Sequence, residues 1–199
     1  MDPAGFTEFD ATLRDGRSVH IRAMRPADEA ELLQAFERMS DDARYMRFMR
    51  SVREPNTERL RKALASFPDN GLGIVATVPA ADGYDIVGSA IYVIGEDRTR
   101  CEFAINVGSA FGGAGLARTL MTALIDSAGK RGLAEMDGFV LAANQPMLGL
   151  AGASASRSRA IPTIRRSASA ACSSANPRAR RRQSAQALAA VECLARTLA

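Results

Sequence analysis

Two short stretches hold the residue types that could do chemistry. The first is Thr99–Val107 (TRCEFAINV). Strand alternation there turns Cys101, Phe103 and Ile105 one way and Glu102, Ala104 and Asn106 the other. A carboxylate in mid-strand can simply face solvent, as most carboxylates do. It can also take a proton from an ammonium group, directly or through water, if a substrate lies beside it. The second stretch runs from Val107 to Arg118 (VGSAFGGAGLAR). Gly112, Gly113 and Gly115 would let the backbone approach a ligand closely. The helix that follows begins with N–H groups that lack internal partners, at the positive end of its dipole, and these suit a phosphate. No Lys-Ser/Thr pair follows the glycines, so this is not a P-loop. GxGxxG is absent as well, which argues against a dinucleotide site. Taken alone, the loop reads equally well as a plain strand-to-helix turn.

These residues need a frame, and the periodicities supply one. Ser18–Arg25 (SVHIRAMR) alternates as a half-buried strand, with His20 on its outer side. Pro26 and Asp28 open a helix with Leu32, Leu33 and Phe36 along one side. Ser40 can cap a second helix, and Asn56 begins a third that ends before Pro68. Leu72–Val78 and Ile86–Ile94 form a hairpin around a turn containing Asp82-Gly83. After the glycine loop, Leu116, Leu120, Met121, Leu124 and Ile125 mark the buried side of a long helix that Gly132 ends. Met136–Ala142 reads as a strand, and Pro146–Ala151 starts a short helix. The class is α/β (α+β): a mixed sheet flanked by helices.

Composition narrows the function classes. The chain has 199 residues and 47% hydrophobic residues, enough for one core of ordinary size. No apolar run approaches the roughly 20 residues that cross a bilayer. MDPAGFTEFD lacks the apolar segment of a secretory signal. Cys101, Cys172 and Cys193 are scattered and unpaired in number, which fits a reducing cytoplasm rather than a disulfide framework. With His20 as the one histidine, no metal site is expected. The net charge of +4 is misleading as a pointer to nucleic acid. Residues 151–199 carry nine arginines against the single acid Glu192, while the front of the chain is net acidic.

The two stretches and their order resemble the GCN5-related N-acetyltransferases (GNAT). That family's acyl-CoA loop reads Gln/Arg-x-x-Gly-x-Gly/Ala between a strand and a helix. Gly112-Gly113-Ala114-Gly115-Leu116-Ala117 fits it, except that Gly112 stands where Gln or Arg is usual. LRDGRSVHIRAMRPADEAELLQAF, RYMRFM, RCEFAINV and VLAANQPMLGLA look like the acetyltransferase domain of bacterial protein-lysine acetyltransferases, often fused to acyl-CoA-synthetase-like modules. The resemblance spans roughly Thr12 to Ala151. It implies a GNAT fold and transfer from acetyl-CoA to an amine acceptor, a protein lysine above all. Glu102 would be the general base. Gly112, Gly113, Ala114, Gly115, Leu116, Ala117 and Arg118 would hold the pyrophosphate. The Ile105, Asn106 and Val107 backbone would steady the oxyanion, and Asn144 would contact the pantetheine arm. Asn144 reads also as a cap before Pro146. Many relatives carry an acidic tyrosine seven residues after that asparagine; here the position is Ala151. A catalytically impaired acyl-CoA-binding regulator is the alternative, and a nucleic-acid-associated protein using the basic tail is a more distant one.

The domain is expected over 18–151, after a lead-in of 1–17. Residues 152–199 read as an Arg/Ser/Ala-rich tail without strand periodicity. The family's closing strands are expected to be missing, which would leave Met136–Ala142 as an open sheet edge. Back-translating from Gly152 with GC-rich codons and dropping two bases gives RVGFAVARDSDDPTV, the phrase the family has at this point. A frameshift near residue 151 is the expectation that follows.

Overall fold

The computed structural model describes residues 5–48, 52–155 and 161–167, and from residue 151 onward the backbone alone. The elements are β1 (Phe9–Thr12), β2 (Ser18–Ala23), α1 (Glu29–Glu37), α2 (Asp41–Phe48), α3 (Thr57–Ser66), β3 (Gly71–Ala80) and β4 (Gly83–Ile94). They continue with β5 (Arg100–Val107), α4 (Leu116–Lys130), β6 (Glu135–Leu141), α5 (Gln145–Ala155) and β7 (Ile161–Ser167). All seven strands form one sheet in chain order. The pairs from β1 to β5 are antiparallel, and β5–β6 and β6–β7 are parallel. No helix among the described residues is long and apolar enough to cross a membrane.

Local chemistry sets the element ends as the sequence suggests. Ser40 Oγ accepts the Ala43 N–H at 3.2 Å and Asn56 Oδ1 accepts the Arg59 N–H at 3.0 Å, each satisfying an open donor of a first helical turn. The β3–β4 hairpin closes at Ala80 opposite Gly83, and Gly83 takes φ +131°, a value that favours glycine. Asp28, 1% exposed, ties the start of α1 to the sheet. It accepts two hydrogen bonds from the Arg22 guanidinium, at 2.7 and 2.8 Å, and a third from the Arg25 N–H at 2.7 Å. Tyr84 also donates its hydroxyl to Asp28.

The sheet is covered on both faces. On one side Leu116, Leu120, Met121 and Leu124 of α4 pack with Ile74, Tyr92, Phe103 and Met136. On the other, Leu32 of α1 and Leu60 and Leu64 of α3 pack with Val75 and Ile86, and Ala63 packs with Ile91. This second layer decides the fate of Glu102. The alternation along β5 is as read, but the face carrying Glu102 is roofed by helices. Its side of the strand is buried, and Glu102 is 6% exposed rather than in solvent.

Two features differ from the sequence reading. The lead-in expected over 1–17 contains β1, an edge strand paired with β2 from Phe9 opposite Ile21 to Thr12 opposite Ser18. It is only four residues long and exposed along most of its length, so it leaves little periodic signal. At the other edge, Ile161–Ser167 pairs in parallel with all of β6, from Glu135 opposite Ile161 to Leu141 opposite Ser167. The tail therefore holds one strand, α5 reaches Ala155, and β6 is not the edge of the sheet. An open ladder of N–H and C=O groups is satisfied by backbone, whatever the side chains. Pro162 can give no N–H, which suits an outermost strand. Cys172, Cys193 and the rest of the basic tail lie outside the described residues.

Candidate active site

The site begins where two parallel strands part. β5 and β6 are paired over Arg100, Cys101 and Glu102, opposite Glu135, Met136 and Asp137, and no further. Beyond Glu102 the strands splay. A cavity of about 620 Å³ fills the fork, lined by Phe103–Val107 on one arm and Phe139 and Val140 on the other. Parallel register brings the Glu102 and Asp137 side chains to the same face at its apex.

Backbone donors face this cavity because the second arm is gone. Gly108 gives its N–H to the Val87 carbonyl on the β4 side at 2.9 Å, and the Thr99 carbonyl accepts the Ala134 N–H on the β6 side at 2.8 Å. Alternation from those two anchors turns the Phe103, Ile105 and Val107 N–H groups into the fork. The Asn106 N–H turns to β4. Of the three residues expected to steady an oxyanion, Ile105 and Val107 turn their amides into the fork. Asn106 borders the cavity without offering its N–H.

The glycine loop closes the far end. Gly113 and Gly115 take φ +74° and +95°, and Gly115 is the N-cap residue of α4 with no side chain capping it. The first N–H groups of α4 therefore stay open beside a cavity lined by Gly112, Gly113, Gly115, Leu116, Ala117 and Arg118. Ala114 does not line it and packs into the core at 6% exposure. Asn144 caps a helix and borders the cavity. Its Oδ1 accepts the Met147 N–H at 3.3 Å at the start of α5.

Glu102 does not itself line the cavity. Ala104, the next residue on its face, does, together with Ala43, Met46 and Arg47 of α2. Arg47 is the charged neighbour. Burial brings its guanidinium down to about 10, and the nearby Glu102 carboxylate opposes that fall. Arg47 still carries its charge near neutrality, so the apex of the fork holds two carboxylates and one cation.

Sequence reasoning missed Arg47, Arg14 and Gly138. Arg47 sits in RYMRFM, a helix that nothing in the sequence ties to the Glu102 strand. Arg14 reaches the cavity from the β1–β2 turn. Gly138 had a readable signal, a glycine inside an apolar strand, which marks close approach. A Cβ there would stand 2.3 Å from Phe103 Cε1. His20 is exposed, with Nδ1 2.8 Å from Asp10, as its place on the outer side of β2 suggests.

Comparison with known proteins agrees with this geometry. Residues 18–154 match the family model of the acetyltransferase (GNAT) domain. An acetyltransferase of Pseudomonas aeruginosa is 30% identical over 136 residues, covering 68% of this chain and 73% of the relative. The crystal structure of the GNAT domain of S. lividans PAT superposes with a TM-score of 0.66 at 24% identity, covering 72% of this chain and 84% of that one. An acetyltransferase of Salmonella typhimurium solved with its cofactor acetyl-CoA gives 0.53 at 22% identity, covering 68% and 77%. At these identities the two structures speak for the fold alone. With residues 18–154, more than half of the chain, matched by the family model, the chain belongs to the GNAT acetyltransferase family.

Proposed function

We propose that this chain transfers the acetyl group of acetyl-CoA to an amine, a protein lysine side chain, with Glu102 as the general base. One observation carries the reading. A cavity runs from a bare glycine loop at a helix N-terminus into a strand fork, and a buried glutamate sits one residue beyond its lining, at the apex. The loop end suits the diphosphate of CoA. The apolar walls, Phe103, Phe111 and Phe139 among them, suit the pantetheine arm.

The chemistry then follows from the groups present. Glu102 takes a proton from the lysine ammonium, directly or through a water reaching past Ala104. The free amine attacks the thioester carbonyl carbon and a C–N bond forms. The carbonyl oxygen gains negative charge, which the Ile105 and Val107 N–H groups stabilise. The C–S bond then breaks, the C=O bond re-forms, and CoA leaves as a thiolate that takes up, through water, the second proton shed by the amide nitrogen. Arg47 supplies a positive charge near Glu102 and opposes the effect of its burial beside Asp137. Calorimetry with acetyl-CoA, followed by mass spectrometry of acetylated lysine peptides, tests this. Binding and transfer are expected; a chain that binds acetyl-CoA and acetylates no amine is a regulator instead.

We propose further that the text after residue 151 is an out-of-frame reading of the family's closing strands. The end of the family match at residue 154 supports this. Sequencing an independent clone of the gene tests it: a coding sequence in which dropping two bases restores no strand-like ending refutes it.

A further inference from the structure

The glycine loop lacks the side chain that the resemblance puts at residue 112. Its bare backbone must meet the most highly charged part of the donor. Three cations border the cavity: Arg47, at the apex of the fork; Arg118, in the first turn of α4; and Arg14. Arg14 comes from outside the loop, on the turn Leu13–Arg17 between β1 and β2.

That turn is fastened to the loop at two points. The Arg14 N–H donates to the Ala114 carbonyl at 3.0 Å. Arg17 donates to the Ala110 carbonyl at 2.8 Å and lies 3.8 Å over the Phe111 ring. The two arginines differ in their charge partners. Arg17 is held by Asp15, its Nε donating at 2.9 Å. Among the described residues no carboxylate lies within ion-pair distance of Arg14. The Arg14 side chain runs along Gly115, where an added Cβ would stand 3.3 Å from its Nε and 3.6 Å from its Cγ. Gly115 is thus bare for its φ and for the passage of this side chain. The result is a planar cation beside Gly115, the N-cap of α4, at the cavity wall, anchored through its own backbone. A guanidinium in that position matches a phosphate by charge and by its forked donors.

We infer that Arg14 binds a phosphate of the acyl donor, supplying from the β1–β2 turn the charge that Gly112 does not. The inference rests on the proposal that acetyl-CoA is the donor.

The test is calorimetry on the full chain with acetyl-CoA and with S-acetylpantetheine, which keeps the thioester and lacks the phosphates. Arg14→Ala is expected to weaken acetyl-CoA about 10- to 100-fold, the range for a hydrogen bond to a charged group. S-acetylpantetheine binding should not change. Gly112→Arg should recover most of the loss in the Arg14→Ala background. Residue 112 has φ −60°, open to any side chain, and its Cβ would meet only the Ser109 carbonyl at 3.2 Å. Arg14 is exposed, so the thermal midpoint of Arg14→Ala without ligand should match the unaltered chain. The inference falls if Arg14→Ala binds acetyl-CoA as tightly as the unaltered chain. It falls also if both ligands weaken alike or if Gly112→Arg recovers nothing. If the unaltered chain does not bind acetyl-CoA, the donor proposal falls and takes this one with it.

Discussion

Replacing Gly138 by alanine probes how tightly the fork is built. A Cβ at this position would lie 2.3 Å from Phe103 Cε1, 2.4 Å from Cζ and 3.0 Å from Cδ1. Ordinary carbon contacts sit at about 3.5–4.0 Å, so the ring must retreat by more than ~1 Å. Phe103 is 3% exposed and packed within the α4-side core, and the open side that it borders is the cavity. Overpacking of this kind costs about 1–3 kcal/mol. For a chain of this size each kcal/mol lowers the midpoint by about 2–4 °C, so Gly138→Ala should melt roughly 2–12 °C lower. The displaced ring should also weaken acetyl-CoA binding by narrowing the acyl end. Phe103→Leu carries no atoms where Cε1 and Cζ stand. Combined with Gly138→Ala, it should melt above the level that the two single changes sum to, with a coupling of about 0.5–3 kcal/mol. Calorimetric melting and acetyl-CoA titration of all four proteins measure this. A Gly138→Ala protein with unaltered midpoint and affinity, or strictly additive single changes, would refute the packing argument.

Glu102→Gln keeps the shape of the buried group and removes the base. Turnover should fall by about 10²–10⁴ with acetyl-CoA affinity retained, and unchanged turnover across the pH range would remove Glu102 from the mechanism. Asp28→Ala leaves the Arg22 guanidinium buried without its carboxylate and should cost about 3–5 kcal/mol in urea unfolding. Burial pushes the Asp28 carboxyl up, but hydrogen bonds from Arg22, Tyr84 and the Arg25 N–H together outweigh it and hold it below the usual range. Asp28 therefore adds stability above the ordinary aspartate value of about 4. That contribution is lost as pH falls through its own lower value, and Asp28→Asn should flatten this acid limb of the stability curve. Burial first, then the Asp137 charge, pushes the Cys101 thiol up to about 12, so at pH 8 it should resist iodoacetamide until the chain unfolds. Peptide mapping checks this, and rapid labelling of native Cys101 would contradict it.

Much of the frame is legible because one-dimensional periodicity records which face of an element is apolar. The strand TRCEFAINV, though covered on both faces, the stripe Leu116–Ile125 and the caps Ser40 and Asn56 all hold in the fold. The glycine loop is legible for a local reason too: its φ values and the open helix start depend on the residues themselves. β1 and β7 are not legible. Edge strands are held by backbone pairing, which leaves little trace in side-chain pattern.

The sequence by itself determined that a strand carrying a carboxylate, a glycine loop and a long amphipathic helix follow one another, and that Gly112 leaves the loop without the side chain usual in the family it resembles. Only tertiary structure decided what surrounds them. β5 and β6 part after Glu102, so the Ile105 and Val107 amides are free to face a ligand. Helices laid over the second face of the sheet turn Glu102 from a solvent residue into a buried one beside Arg47. The β1–β2 turn brings Arg14 about a hundred residues along the chain to the glycine loop. Periodicity states which way a side chain points. What it then meets depends on contacts between segments far apart in sequence, and these exist only once the chain has packed.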